Sequence, residues 1–187
     1  ATKEEMEKFG RRYNPCGEMY TDADGNKHYY TDQTDNYLQK NYQLLLNHSF
    51  STAWNLNVAL HYTKGDGYYE EYKPGSSLVE YGLKPFNPDG TETNESDLVR
   101  QKKMDNKFGG GVFSLNYTGN RLTASLGGGL NQYRGNNFGK VTWVKNYIGN
   151  LSPEHEYYRN KSKKTDGNIY LKANYDLTST LSAYADL

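Results

Sequence analysis

The sequence predicts an all-β chain of antiparallel, up-and-down strands, and three observations carry this. Three pairs of segments alternate apolar and polar residues with period two. A short turn joins the members of each pair. Composition agrees: 19 Tyr and 19 Gly stand against five Pro in 187 residues. Period-two alternation gives a strand one apolar and one polar face. Hydrophobic residues make up only 35% of the chain, below the usual share of about 45–50%, so no large conventional core is expected. No stretch approaches the roughly 20 apolar residues of a spanning helix. An aromatic share of 14% and zero net charge argue against disorder. No run of Lys and Arg marks a nucleic-acid surface.

The first pair is Tyr42–Phe50 and Trp54–Tyr62. With three residues between them, Phe50 pairs with Trp54, Leu46 with Val58 and Leu44 with Leu60, so the apolar faces match. The opposite face carries Asn47, Asn55, Asn57, Ala59 and His61. The second pair is Phe108–Tyr117 and Leu122–Tyr133, joined by Thr118–Arg121. A register that sets Phe113 against Leu126 and Tyr117 against Leu122 also sets Gly110 against Gly129 and Gly111 against Gly128. Strand glycines mark bends or close backbone approach. The meeting of two Gly triplets therefore predicts either relief of curvature or room for an inward-folded segment. The third pair is Asn168–Tyr175 and Thr180–Leu187, with Ile169, Leu171, Ala173, Leu181, Ala183 and Ala185 on its apolar face.

These pairs define hairpins over 41–63, 107–133 and 167–187. The connections at their far ends, 1–40, 64–106 and 134–166, are long, polar and Tyr-rich, where compact domains use about 4–6 residues. Within the first, Asp22–Asn26 reads as the tip of a small hairpin. Short turns at one end and long loops at the other are the asymmetry of a transmembrane β-barrel. Polar residues opposite the apolar stripe suit a wet lumen. Phe50, Trp54, Tyr117 and Tyr175, near the short turns, suit a membrane-interface girdle. A soluble β-sandwich acting as a glycan-binding or adhesion module is the alternative. Six strands cannot close a barrel alone, so a piece of a larger barrel, or several copies, is expected. The ends agree with a piece: Ala1–Glu5 has no signal-peptide character, and Ser179–Leu187 reads as a strand cut off in progress.

Tyr13–Gly17, Tyr20–Tyr30, Asp32–Gln39 and Tyr42–Leu45 resemble the mid-barrel region of TonB-dependent outer-membrane receptors of Bacteroidota. The run Asp32-Gln33-Thr34-Asp35-Asn36-Tyr37 is its most specific part. The resemblance covers residues 11–72 as motif and the whole chain as architecture. It implies a 22-stranded barrel with long extracellular loops in the cell outer membrane, bound to outer-membrane lipid. It also implies a plug domain, a TonB complex that supplies energy, and import of a ferric chelate, haem, cobalamin or glycan, with a surface lipoprotein as a further partner. No cofactor is implied. Plug, TonB-contacting segment, signal sequence and closing strand are not among these residues.

Rigid amphipathic rings suit recognition of such ligands. The candidate contacts are Tyr68, Tyr69 and Tyr72 in the second connection, with Trp143, Tyr147, Tyr157 and Tyr158 in the third; Tyr81 and Phe86 belong to the same aromatic set. His28, His48, His61 and His155 show no metal-ligand spacing, so no metal site is expected. Asp22–Asn26 has its Gly at the wrong place for a calcium loop. Glu70 and Glu71 read as a solvated acidic pair, and Cys16 as a bystander in a turn. With no nucleophile elbow, phosphate loop or close inward carboxylate pair, no enzyme is expected.

Overall fold

A computed structural model describes residues 2–14, 17–83, 89–145, 147 and 155–187; Cys16 and Phe86 lie outside them. The N-terminal segment holds helix α1 (Lys3–Phe9) and a hairpin of β1 (Glu18–Thr21) and β2 (Lys27–Tyr29). Thr2 and Glu5 cap α1 reciprocally. Asp22 organises the hairpin tip: its Oδ1 accepts from the N–H groups of Asp24 (3.0 Å) and Asn26 (2.8 Å). Its other oxygen holds His28 at 2.9 Å, whose ring stacks on Tyr20. The Asp22–Asn26 segment is thus a hairpin turn, as its residues predict.

Six strands follow and pair in chain order: β3 (Thr34–Ser49), β4 (Trp54–Ser77), β5 (Glu95–Thr118), β6 (Leu122–Val144), β7 (Glu156–Asp176) and β8 (Ser182–Asp186). The antiparallel, up-and-down, all-β expectation holds. The sheet is open, with β3 and β8 at its edges. All three short turns fall where the sequence puts them. Ser51 Oγ accepts from the N–H groups of Ala53 and Trp54 in the first, and Thr178 Oγ1 accepts from those of Thr180 and Leu181 in the third.

Two expectations change. The strands run much farther than the hairpins predicted from alternation, and β4 and β5 reach 24 residues each. Most of 64–106 and 134–166 is therefore strand. Alternation stops where neither face is apolar, yet pairing continues because polar partners bridge the strands on both faces. The β5–β6 register also differs. Gly119 N–H donates to the Leu122 carbonyl at 2.8 Å, so the turn proper is Asn120–Arg121. Each strand position shifts to a partner two residues along, which leaves the faces unchanged. Gly110 consequently lies beside Asn131, and Gly129 beside Val112; the two Gly triplets do not pair directly and touch only at their ends, where Gly129 nears the Gly111 carbonyl.

The chain divides into two compact units. One comprises Leu38–Asp66, Asp105–Asn136 and Lys161–Leu187. Its apolar face has no covering layer: Leu44 (67% exposed), Leu46, Leu60, Phe113, Leu126, Leu130, Ile169 (73%) and Leu171 are all open. Its other face is a hydrogen-bonded polar surface. There Asn47, Asn55 and Asn57 bond one another, Asn57 donates to Ser114, Ser125 donates to Asn116, and His61 meets Asn131 at 2.8 Å. A depression of about 590 Å³ opens among Leu45, Ala59, Val112, Asn168 and Tyr170.

The other unit comprises residues 1–37, 67–104 and 137–160 and owns a small core. A 3₁₀ turn, Leu78–Tyr81, brings Leu78 and Tyr81 against Leu83, Leu98 and Val141, all buried. Its left-handed C-cap, Gly82 (φ 66°), turns the chain so that Leu83 N–H reaches the Leu78 carbonyl.

A side chain at Gly128 would place its Cβ 2.6 Å from the Asn168 carbonyl oxygen. Gly128→Val should therefore lower unfolding free energy by about 2–3 kcal/mol. Gly109→Ala, whose Cβ meets the Tyr62 ring at 3.2 Å and the His61 carbonyl oxygen at 3.3 Å, should cost about 1 kcal/mol because both contacts need only a small shift. Urea unfolding midpoints of the two variants test this.

Candidate functional site

Most of the aromatic residues singled out from sequence lie in the second unit, where their environments separate them. Tyr72 is buried. Its ring packs on Tyr30 (5.8 Å) and Trp143 (6.2 Å), and its hydroxyl hydrogen-bonds the Asp97 carboxylate. Tyr157 sits edge-on to Tyr81 at 4.7 Å and to Tyr158 at 4.9 Å. Tyr147 and Tyr157 pack against the small core. The Tyr157 hydroxyl is buried with no hydrogen-bond partner among the described residues. These rings are first of all packing elements.

Tyr68, Tyr69 and Trp143 are more open. Lys103 Nζ stands 4.7 Å from the Tyr68 ring centre, and Lys102 Nζ 5.9 Å from that of Tyr69. Trp143 is 44% exposed. Nearby on β6 and β7, the Arg159 guanidinium lies 4.2 Å from the Phe138 ring. Tyr68 and Tyr69 are successive residues of β4 and point to opposite faces, so each face carries a ring paired with a cation that can hold planar, sugar-like or anionic groups.

A salt bridge missed by sequence reasoning ties this unit together. Arg100 donates from Nε to Glu71 Oε1 at 2.7 Å, pairs with it again through Nη2, and donates from Nη1 to the Tyr81 hydroxyl at 2.9 Å. Its 6.0 Å distance from the Tyr81 ring centre adds a cation–π contact. Burial opposes the Arg100 charge, but the Glu71 carboxylate outweighs it and raises the guanidinium above its ordinary value. Glu70, on the other face of β4, accepts from Tyr30 (2.9 Å) and Gln101 (2.7 Å). Glu70 and Glu71 are therefore not a solvated acidic pair. Each is tied across to a neighbour, because successive strand residues point to opposite faces.

Burial likewise opposes ionisation of Asp97. The Tyr72 hydroxyl, Gly75 N–H (2.9 Å) and Lys145 (3.2 Å) overcome it and hold the carboxyl below its ordinary value. His155 donates from Nε2 to the Tyr81 carbonyl at 2.7 Å. Among the described residues no group of three His, Cys, Asp or Glu could hold a metal ion.

The four predicted interface aromatics lie in the first unit beside the short turns. Trp54 and Tyr117 are 4.9 Å apart between ring centres, Phe50 meets His48 edge-on at 4.6 Å, and Tyr175 is exposed. A second pair, Tyr42 and Tyr62, lies farther along β3 and β4 with centres 6.3 Å apart.

Comparison with known proteins identifies no relative: no family model, curated protein or solved structure matches the chain.

Arg100→Met leaves a half-buried carboxylate and a phenol without their donor and should cost about 2 kcal/mol, while adding Glu71→Met should restore most of the loss. Unfolding midpoints of the two variants decide this. Burial, reinforced by Glu70, pushes the Tyr30 hydroxyl up to about 12; burial, opposed by Arg100, does the same for Tyr157, also to about 12. A phenol whose folded value is raised contributes its full stability below the ordinary value of about 10 and loses it as pH climbs from there to the folded value. Burial and the Asp97 carboxylate raise the Tyr72 hydroxyl as well, so absorbance titration should show a late-ionising group of phenols that loses one member in Tyr30→Phe and one in Tyr157→Phe.

Proposed function

We propose that the chain is a segment of the barrel of an outer-membrane, TonB-dependent import receptor. The observation that carries this reading is the uncovered apolar face of β3–β8, set between two aromatic rows and backed by a hydrogen-bonded polar face. The rows, Trp54 with Tyr117 and Tyr42 with Tyr62, are eight residues apart on β4, about 26 Å of strand. Tilt brings that close to the roughly 25 Å apolar band of outer-membrane barrels. A membrane-spanning sheet cannot leave edges unpaired, so β3 and β8 would each meet a further strand of a 22-stranded barrel.

The resemblance of residues 11–72 supplies the receptor class. Its imported ligand is a ferric chelate, haem, cobalamin or glycan, held by exposed and half-buried rings of the long outer segments. Tyr68, Tyr69, Trp143 and Tyr158 are the contacts this reading favours, because Tyr72, Tyr147 and Tyr157 are occupied in packing. The plug, the TonB complex and a surface lipoprotein complete the transport system.

Expressed from its intact gene, the protein should fractionate with outer membranes and migrate faster before boiling than after. A deletion strain should lose growth on at least one of haem, cobalamin, a ferric chelate or a glycan as sole source. Tyr69→Ala combined with Trp143→Ala should weaken that uptake more than about tenfold without altering the mobility shift. Recovery as a soluble monomer would instead favour a glycan-binding or adhesion sandwich.

A further inference from the structure

Strand register in the first unit brings five basic side chains into one line. Tyr37 lies beside Gly67, and Thr63 hydrogen-bonds Asn41 at 2.8 Å, which puts Lys40 next to Lys64. Tyr62 lies beside Gly109, which puts Lys64 next to Lys107. Gly110 beside Asn131 sets Lys107 next to Arg134. Gly135 beside Ser162, with Gln132 bonded to Thr165, sets Arg134 next to Lys163.

The result is a straight cross-strand row of cations, one on each of β3 to β7: Lys40, Lys64, Lys107, Arg134 and Lys163. Residue parity puts the row on the apolar face, one step beyond the Tyr42–Tyr62 pair. All five side chains are exposed. Among the described residues none of the five forms an ion pair; Arg134 donates only to the Gln132 amide oxygen at 2.7 Å. Part of the row borders a groove of about 490 Å³. The next step on this face holds Asp66, Asp105 and Lys161, too few carboxylates to neutralise the row.

Like charges directly opposite on neighbouring strands repel, and natural sheets avoid them. Five in succession make sense against a layer of opposite charge. We propose that this row binds the phosphate groups of the phosphorylated glycolipid that forms the outer leaflet. The inference rests on the outer-membrane reading above, which places the apolar face in lipid and the row at headgroup level. Aliphatic stems would lie along the lipid while the charged heads reach the phosphates, as Lys and Arg do at membrane interfaces. Arg134, central in the reach of Lys107 and Lys163, supplies the planar fork that grips phosphate.

The test uses the intact gene product in detergent, titrated with fluorescent diphosphoryl lipid A, the same lipid with its phosphates removed, and phosphatidylglycerol. The parent should prefer diphosphoryl lipid A, and binding should weaken with salt. A variant carrying K64Q, K107Q, R134Q and K163Q should bind it more than about tenfold more weakly while keeping the boiling-dependent mobility shift. Equal binding by parent and variant, equal binding of the dephosphorylated lipid, or equal binding of phosphatidylglycerol overturns the inference and leaves the barrel reading standing. A parent without the mobility shift removes the barrel reading, and this inference with it.

Discussion

An apolar sheet face with nothing packed on it is the constraint on which the rest of this structure depends. In water, large open Leu, Phe and Ile side chains along β3 to β7 would drive association. The opposite face cannot supply a core, because Asn47, Asn55, Asn57, Asn116 and Ser114 are committed to one another through side-chain hydrogen bonds. The sheet is therefore inside out relative to a sandwich layer. Its apolar side lacks a cover, and its polar side is knit by hydrogen bonds. The second unit faces no such demand and closes a small core of its own from Leu78, Tyr81, Leu83, Leu98 and Val141.

Tyr and Gly, each present 19 times, meet repeatedly in space. Tyr170 lies over Gly127, Tyr157 and Tyr158 over Gly139, Tyr62 beside Gly109 and Tyr37 beside Gly67. A strand glycine leaves bare backbone and a gap in the side-chain layer, and a cross-strand ring fills both. At Gly67, Gly110 and Gly128 a Cβ would also meet the neighbouring strand's backbone, so these positions mark close approach of two strands.

Much of this was legible in the sequence, and the limits have physical causes. Trp54, Leu56, Val58, Leu60 and Tyr62 announce their strand because one face is apolar throughout. The outer part of the same strand, through Glu70, Glu71 and Tyr72, does not, since both its faces are polar and each partner lies about 30 residues away. The pair Arg100–Glu71 is invisible until the register is known. The β5–β6 register failed for a narrower reason: a two-residue slip keeps every side chain on its face, so alternation cannot tell the two apart. Tyr72 and Tyr157 looked like ligand contacts because polarity of the surrounding sequence suggests exposure. The 3₁₀ turn that buries Tyr81 beside Tyr157 has no sequence period to betray it.

Neutrality of the whole chain hides the same kind of order. With 22 basic and 22 acidic residues, and no basic run, the sequence gives no electrostatic preference. Folding sorts the charges by position in the sheet. In the second unit they cancel locally, in Arg100 with Glu71, Lys145 with Asp97 and Arg159 with Glu156. Along the apolar face of the first unit they do not, and Lys40, Lys64, Lys107, Arg134 and Lys163 line up although more than 20 residues separate each from the next. Antiparallel strands of such length convert that wide spacing into adjacency. A zero net charge thus excludes strong attraction of the chain as a whole to a polyanion, but it places no limit on a row one residue deep.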